Sequence, residues 1–188
     1  MTETASPDDS AAMAVSSGQT ARIQPTREQF GALCWRIRRG RPEVLLITSR
    51  DTRRWIIPKG WPIAGIEPPQ SALREAWEEA GVRGTVAPDP VGEYPYVKTM
   101  RDAPGVPCTV VVYPVKVGSL ASAFPERRER RRRWFSAPKA ARKLAEPELC
   151  ALILAFGEVL GRSGKVEAVK RSAGTKREGE AAPAILPA

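Results

Sequence analysis

Two periodicities run along this chain. The first is that of strands: short apolar runs rich in β-branched residues, separated by glycine, proline and charge. Phe30 to Ile37 (FGALCWRI) predicts a strand, residues 38–42 with Gly40 a turn, and Val44 to Thr48 (VLLIT) the antiparallel mate. Trp55 to Ile57 predicts a short third strand that runs into a Pro58-Lys59-Gly60 loop. Arg83 to Val86, Val91 to Val97, Thr109 to Val117 and Arg133 to Phe135 read as further strands. The run TVVVYPVKV is β-branched enough to be central, and Pro114 within it predicts a bulge or irregularity.

The second periodicity is helical. Leu73, Ala76, Trp77 and Ala80 fall on one side of a helix that starts near Pro68 or Pro69 and ends at Gly81, the expected C′ residue. Ser136-Ala137-Pro138 predicts a helix through about Leu144, with Ser136 as N-cap. Glu146-Pro147 predicts another, through about Gly157 or Leu160, with Leu149, Leu152, Ile153 and Phe156 at core spacing. Strands interleaved with helices make an α/β domain.

Composition sets the limits. The 188 residues suit one domain with tails, and 42% apolar residues suffice for a core. Residues 1–24 are rich in Ser, Thr, Ala and Asp without alternation, so a disordered tail is expected there, then a domain over 25–160. A second tail, also expected to be disordered, covers 161–188. The start has no basic segment followed by an apolar one, and no apolar run nears the ~20 residues of a membrane span. Cys34, Cys108 and Cys150 are odd in number and scattered, as reduced cytoplasmic thiols would be, and they lack zinc-site spacing. There is no histidine, which excludes Ser-His-Asp and Cys-His nucleophiles and His-ligated metals. A general base must then be a carboxylate, Lys, Tyr or a metal-bound hydroxide. A formal charge of +9 favours polyanionic partners. Its densest run, residues 126–133, holds six arginines and two glutamates. That run reads as a solvated edge, a polyphosphate-binding surface or an RNA-binding one.

On the first helix, Glu75, Glu78 and Glu79 stand at i, i+3 and i+4, so their carboxylates share one face. Like charges at that spacing destabilise by roughly 0.2–0.5 kcal/mol per pair. Glu78 and Glu79 also lie at the C-terminal end, where the helix dipole is already negative. Arg74 offsets only part of this. A hard cation such as Mg²⁺, which takes carboxylate oxygens, removes the conflict. A solvated acidic face is the alternative.

The flanking residues decide between them. Gly60, Arg74, Glu75, Glu78, Glu79, Gly81 and Val82 stand at the spacing of the Nudix box, and the chain resembles the Nudix hydrolases. The family pattern has a glutamate six residues after the first glycine; here that position is Ile66 and Glu67 follows it. The run Pro58 to Pro62 is similar to a bacterial subgroup close to the diphosphoinositol polyphosphate and diadenosine polyphosphate hydrolases. The resemblance implies an α/β/α sandwich with a mixed sheet. It implies a hydrolase that uses Mg²⁺ or Mn²⁺ to direct water onto a phosphoanhydride of a small, highly anionic molecule. Glu75, Glu78 and Glu79, with the carbonyl of Lys59, would hold metal, and Arg74 would orient a glutamate. Gly60 would allow close backbone approach. The base stays open between a box glutamate and an outside one, Glu126 or Glu129. Arg36, Arg38, Ser49, Arg50, Lys59, Arg131 and Arg133 are the expected phosphate-binding residues, with Lys98 and Arg101 behind them. Trp61 is a candidate for stacking on a base, whereas Tyr94 and Tyr96 read as packing residues.

Two other functions fit the same residues. One is removal of pyrophosphate from RNA 5′ ends, which would make nucleic acid a partner. The other is a binding or regulatory module that has lost catalysis, against which the retained Arg74, Glu75, Glu78 and Glu79 argue.

Overall fold

A computed structural model describes residues 27–98 and 105–175, with side chains as far as residue 162. The elements run β1 (Arg27–Arg38), β2 (Arg41–Thr48), β3 (Trp55–Ile56), β4 (Lys59–Gly60), α1 (Pro68–Ala80), β5 (Val82–Val86), β6 (Gly92–Lys98), β7 (Val106–Leu120), β8 (Arg132–Ser136), α2 (Ala137–Ala141) and α3 (Pro147–Thr175). The sheet has the order β3-β2-β1-β7-β5, with β4 on β1, β6 on β7 and β8 on β2. β1 and β7 are parallel and the other pairs antiparallel, so the sheet is mixed as expected.

The near-continuous apolar run of β1 follows from its position. Both faces of that strand are covered, so successive side chains enter two different cores. Phe30, Ala32 and Cys34 join Leu45 and Ile47 beneath Ala72, Ala76 and Ala80 of α1. Leu33 joins Val44, Leu46, Val110 and Val112 on the other face, against Ala140 of α2 and Leu149 and Ile153 of α3. The sheet therefore lies between α1 and the α2–α3 pair, the expected α/β/α sandwich. Ala76 is fully buried against the sheet. Ala76→Glu places a charge there at a cost of several kcal/mol. The variant should show no cooperative melting transition; a melt like that of the unaltered chain would contradict the packing.

Four elements differ from the sequence reading, one of them α2, which stops at Ala141 and receives no side-chain cap bond from Ser136. Lys59–Gly60 is not a loop but a two-residue strand paired with Phe30 and Gly31. β7 is one strand through Pro114, whose position in the ladder pairs it with Leu33 of β1, and the register shift falls opposite Arg83/Gly84 instead. α3 continues to Thr175, past residue 161. Glycine costs a helix only about 1 kcal/mol, and no proline interrupts this one. Residues 1–24, Arg101 and the end from 176 lie outside the described residues. Among the described residues no helix is long and apolar enough to cross a membrane.

A candidate active-site cleft

α1 begins with Pro68 and Pro69 in its first turn and stops at Gly81, which adopts φ 64° and donates its N–H to Trp77 O at 2.8 Å. No basic residue sits in the last turn, although Glu78 and Glu79 do. Compensation arrives from far along the chain. Arg132 donates to Ala80 O at 2.5 Å and to Ala121 O at 2.7 Å, so a guanidinium caps the negative end of the helix. Arg130 reaches the same region and is buried. Its guanidinium donates to Glu79 Oε1, to Glu126 Oε2 at 2.5 Å and to Thr48 O at 3.1 Å.

The arginine run thus divides by the alternation of an extended chain. Arg130 and Arg132 turn inward as structural clamps, whereas Arg131 and Arg133 turn outward. Its charge density hid this division, because six arginines in eight residues look alike until their partners are known.

Glu79 faces inward. Its Oε2 accepts from Lys59 N–H at 3.1 Å, which ties α1 to β4. Burial pushes its carboxyl up to about 7, with Arg130 and then Lys59 pulling the other way. Burial also lowers the ammonium of Lys59, which rests 4.2 Å from the centre of the Tyr96 ring. Glu75 is half-buried and makes no ion pair among the described residues. Burial raises its carboxyl, and the charges of Glu78 and Glu126 raise it further. A Cβ on Gly60 would occupy the space of the Glu75 carboxylate, so only glycine lets β4 and α1 approach this closely. Arg74 bonds Glu78 Oε1 at 2.8 Å.

Glu75, Glu79, Lys59, Gly60 and Arg130 line one cleft of about 330 Å³, whereas Arg74 lies outside it. Glu75, Glu78, Glu79 and Glu126 share it with Lys59, Lys98, Arg50 and Arg54. Arg50 stands 3.7 Å from Glu126 and 3.6 Å from Glu129, and Ser49 shares a 2.7 Å hydrogen bond with Thr52. Of the expected phosphate ligands, the cleft gathers Ser49, Arg50 and Lys59 and leaves out four. Arg36 is held by Glu43 at 2.7 Å and lies on Trp134 at 4.0 Å. Arg38 and Arg133 line a different cleft, and Arg131 a hollow with Thr48, Arg53 and Trp55. The reason is the length of β1. Gly31 pairs with Lys59, and Arg38 lies seven residues further, about 23 Å at ~3.3 Å per residue.

Tyr94 is buried in the core and Tyr96 lines the cleft, as does Trp61, over which Lys98 Nζ lies at 4.6 Å. The sequence reading also missed Gln29. It is 2% exposed, lines the cleft, and its Oε1 has no hydrogen-bond partner among the described residues. It is the last of three polar residues, Arg27, Glu28 and Gln29, before the apolar run of β1, so little in the pattern singles it out.

The donors are all hard oxygens, which suits Mg²⁺ or Mn²⁺. Among the described residues no three carboxylates are arranged to grip one ion unaided. Glu79 in particular is engaged with Arg130 and Lys59. The fit is to the mode in which one or two carboxylates hold an ion and water and phosphate oxygens complete its shell. Glu75 and Glu78 would make up that pair, and Glu126 lines the same cleft with one oxygen bonded to Arg130.

A glycine strand, an Arg-Glu helix with two further glutamates and an αL glycine, set against a mixed sheet, define a Nudix domain. The chain belongs to that family: the NUDIX domain model matches residues 27–153. It is 32% identical over 105 residues to Nudix hydrolase 12, mitochondrial, of Arabidopsis thaliana, covering 52% of this chain and 50% of the relative. It is 38% identical over 68 residues to diphosphoinositol polyphosphate phosphohydrolase 3-alpha of Mus musculus, covering 35% and 42%. The chain spans about half the length, or less, of these curated relatives. The fold is that of a C. elegans Ap4A hydrolase binary complex, with a TM-score of 0.58 at 22% identity over 72% of this chain and 98% of that one. It is also that of the NUDIX domain of Shewanella oneidensis NrtR complexed with ADP ribose, with a TM-score of 0.52 at 12% identity over 71% and 90%.

Proposed function

We propose that the chain is a phosphohydrolase, dependent on Mg²⁺ or Mn²⁺, that splits a phosphoanhydride bond in a small, highly anionic molecule. Diphosphoinositol polyphosphates and dinucleoside polyphosphates are the substrate classes, with related nucleoside diphosphate derivatives beside them. One observation carries the reading: Glu75, Glu78, Glu79 and Glu126 line a single cleft together with Arg50, Arg54, Lys59 and Lys98. Acid alone would repel a polyphosphate, and base alone would bind it without a place for a metal.

Glu75 and Glu78, with Glu126, would hold the ion. When bound, such an ion neutralises phosphate oxygens and lowers the pKa of water. The protein supplies the rest. Arg50, Lys59 and Lys98 bind phosphate oxygens, and the guanidinium of Arg50 offers a planar fork for two of them. Arg74 fixes the rotamer of Glu78. Glu79 holds β4 against α1 through the Lys59 N–H, keeping the Glu75 carboxylate over Gly60. Two relatives support the substrate class, one named for Ap4A hydrolysis and one for diphosphoinositol polyphosphates.

The test is release of phosphate or pyrophosphate across dinucleoside polyphosphates, diphosphoinositol polyphosphates, nucleotide sugars and triphosphorylated RNA. We expect turnover on the first two groups with Mg²⁺ or Mn²⁺ and none in chelator. Undiminished turnover in chelator overturns the metal dependence, and turnover confined to the RNA moves the substrate class. Tight binding of substrate with no release makes the chain a silent module.

A further inference from the structure

Among the described residues, a dense group of arginines without ion pairs lies outside the active-site cleft. At the far end of β1 and β2 a second cleft of about 1120 Å³ opens between their hairpin, β8 and the end of α2. Arg38, Arg39 and Arg41 enter it from the hairpin, Arg133 from β8, and Arg142 and Lys143 from behind α2. Its one carboxylate, Glu43, is already bonded to Arg36. Arg38, Arg39, Arg41 and Arg142 make no side-chain hydrogen bond or ion pair among the described residues.

The hairpin is built against local preference to bring them there. Arg38 and Arg41 are direct cross-strand partners. Like charges directly opposite one another destabilise a ladder. Between them Arg39 adopts φ 50° and Gly40 φ 70°. Two such residues in a two-residue loop form the turn that favours Asn-Gly or Asp-Gly, and an arginine there is strained by its Cβ. A sequence selected only for a stable hairpin would hold neither feature. Local rules broken together at one place mark a functional surface.

The aromatic residues narrow the ligand. Trp134 has Arg36 on its ring, and Phe135 is buried with Trp55 edge-on at 5.1 Å. Neither presents the open face on which single-stranded nucleic acid stacks its bases. What remains is a set of guanidinium forks suited to phosphate oxygens. We propose that this cleft is a second binding site, for a linear chain of phosphoanhydride-linked phosphates recognised by charge and fork geometry alone. Its Arg38 stands about 23 Å along β1 from Gly31, the partner of Lys59, at ~3.3 Å per residue, and the site is separate from the catalytic proposal.

The test uses the full chain in chelator, so that its outcome does not depend on turnover. Calorimetric titration with inorganic polyphosphate of about 15 units should give saturable binding that weakens as salt rises. The triple variant Arg39→Gln, Arg41→Gln, Arg142→Gln should bind about tenfold or more weakly. Its ligand-free melting temperature should stay equal or rise, since a like-charge pair has been relieved. Absence of binding, or equal affinity in the triple variant, overturns the proposal. So does a single-stranded RNA of matching charge that displaces the polyphosphate at the lower concentration, which would make the cleft a nucleic-acid surface.

Discussion

Glu79→Gln should lower turnover by about 10²–10⁴-fold while making the stability of the metal-free protein less dependent on pH. The size of the loss discriminates between roles. A fall near 10² is that of a residue that orients others; a fall near 10⁴ is that of a group in the reaction itself. Stability has its own signature. The folded carboxyl sits at about 7, above its ordinary 4.5, because burial favours the neutral form. Its contribution to stability is therefore fully present below about 4.5 and is lost as pH rises through about 7. Glutamine removes the titrating charge but keeps one acceptor where the carboxylate has two, so its NH₂ faces either the Lys59 N–H or the Arg130 guanidinium. Metal-free melting of the variant should thus vary less between these values. Alanine, by contrast, leaves the Lys59 N–H and one arm of Arg130 without an acceptor, at roughly 1–3 kcal/mol per buried group. A glutamine variant that melts early and keeps its turnover would make Glu79 purely structural.

Arg130→Met should cost about 3–5 kcal/mol, the penalty for removing one partner of a buried ion pair. Arg130 is 6% exposed at its side chain and serves Glu79, Glu126 and Thr48 O together. Methionine fills much of the volume and serves none of them. The loss should be greatest at about pH 8, where Glu79 is ionised and left unpaired. It should shrink at about pH 5.5, where burial keeps that carboxyl protonated. Arg130→Lys should not restore stability, because a compact ammonium cannot satisfy three acceptors in one plane. Urea unfolding at both pH values measures this. A loss independent of pH would show that Arg130 acts by packing alone.

How much was legible beforehand depends on the range of the interactions. α1 was readable because everything that defines it is local: the prolines at its start, the apolar side facing Phe30 and Leu45, and Gly81 at its end. The crowding of Glu75, Glu78 and Glu79 was visible for the same reason. Its resolution was not, because Arg130 and Arg132 reach the helix from 51 and 52 positions away. No period in the sequence marks which members of an arginine run turn inward. The phosphate ligands were legible only in part, since Ser49, Arg50 and Lys59 line the cleft and four others do not. Arg36 and Arg38 lie on a strand that does pass the site, but the distance along it was unreadable until Gly31 was seen paired with Lys59. Gly60 gave the opposite case, since its expected close approach has a specific cause in the Glu75 carboxylate.

The arginine clamp also bears on how the chain is made. During synthesis Glu79 leaves the ribosome 51 residues before Arg130. At ~5–20 residues per second, that is an interval of roughly 3–10 s. Through it Glu79 lacks its arginine and has the Lys59 N–H and water as partners. Thr48, still further ahead, waits for the same guanidinium across 82 positions. β2, α1 and the loop before β8 are therefore joined by one side chain that arrives last. Ala72, Ala76 and Ala80 of α1 can pack on β1 and β2 before then. The reactive cleft, like the second layer that needs Leu149 and Ile153, has no assembled form until Arg130 or later residues have emerged.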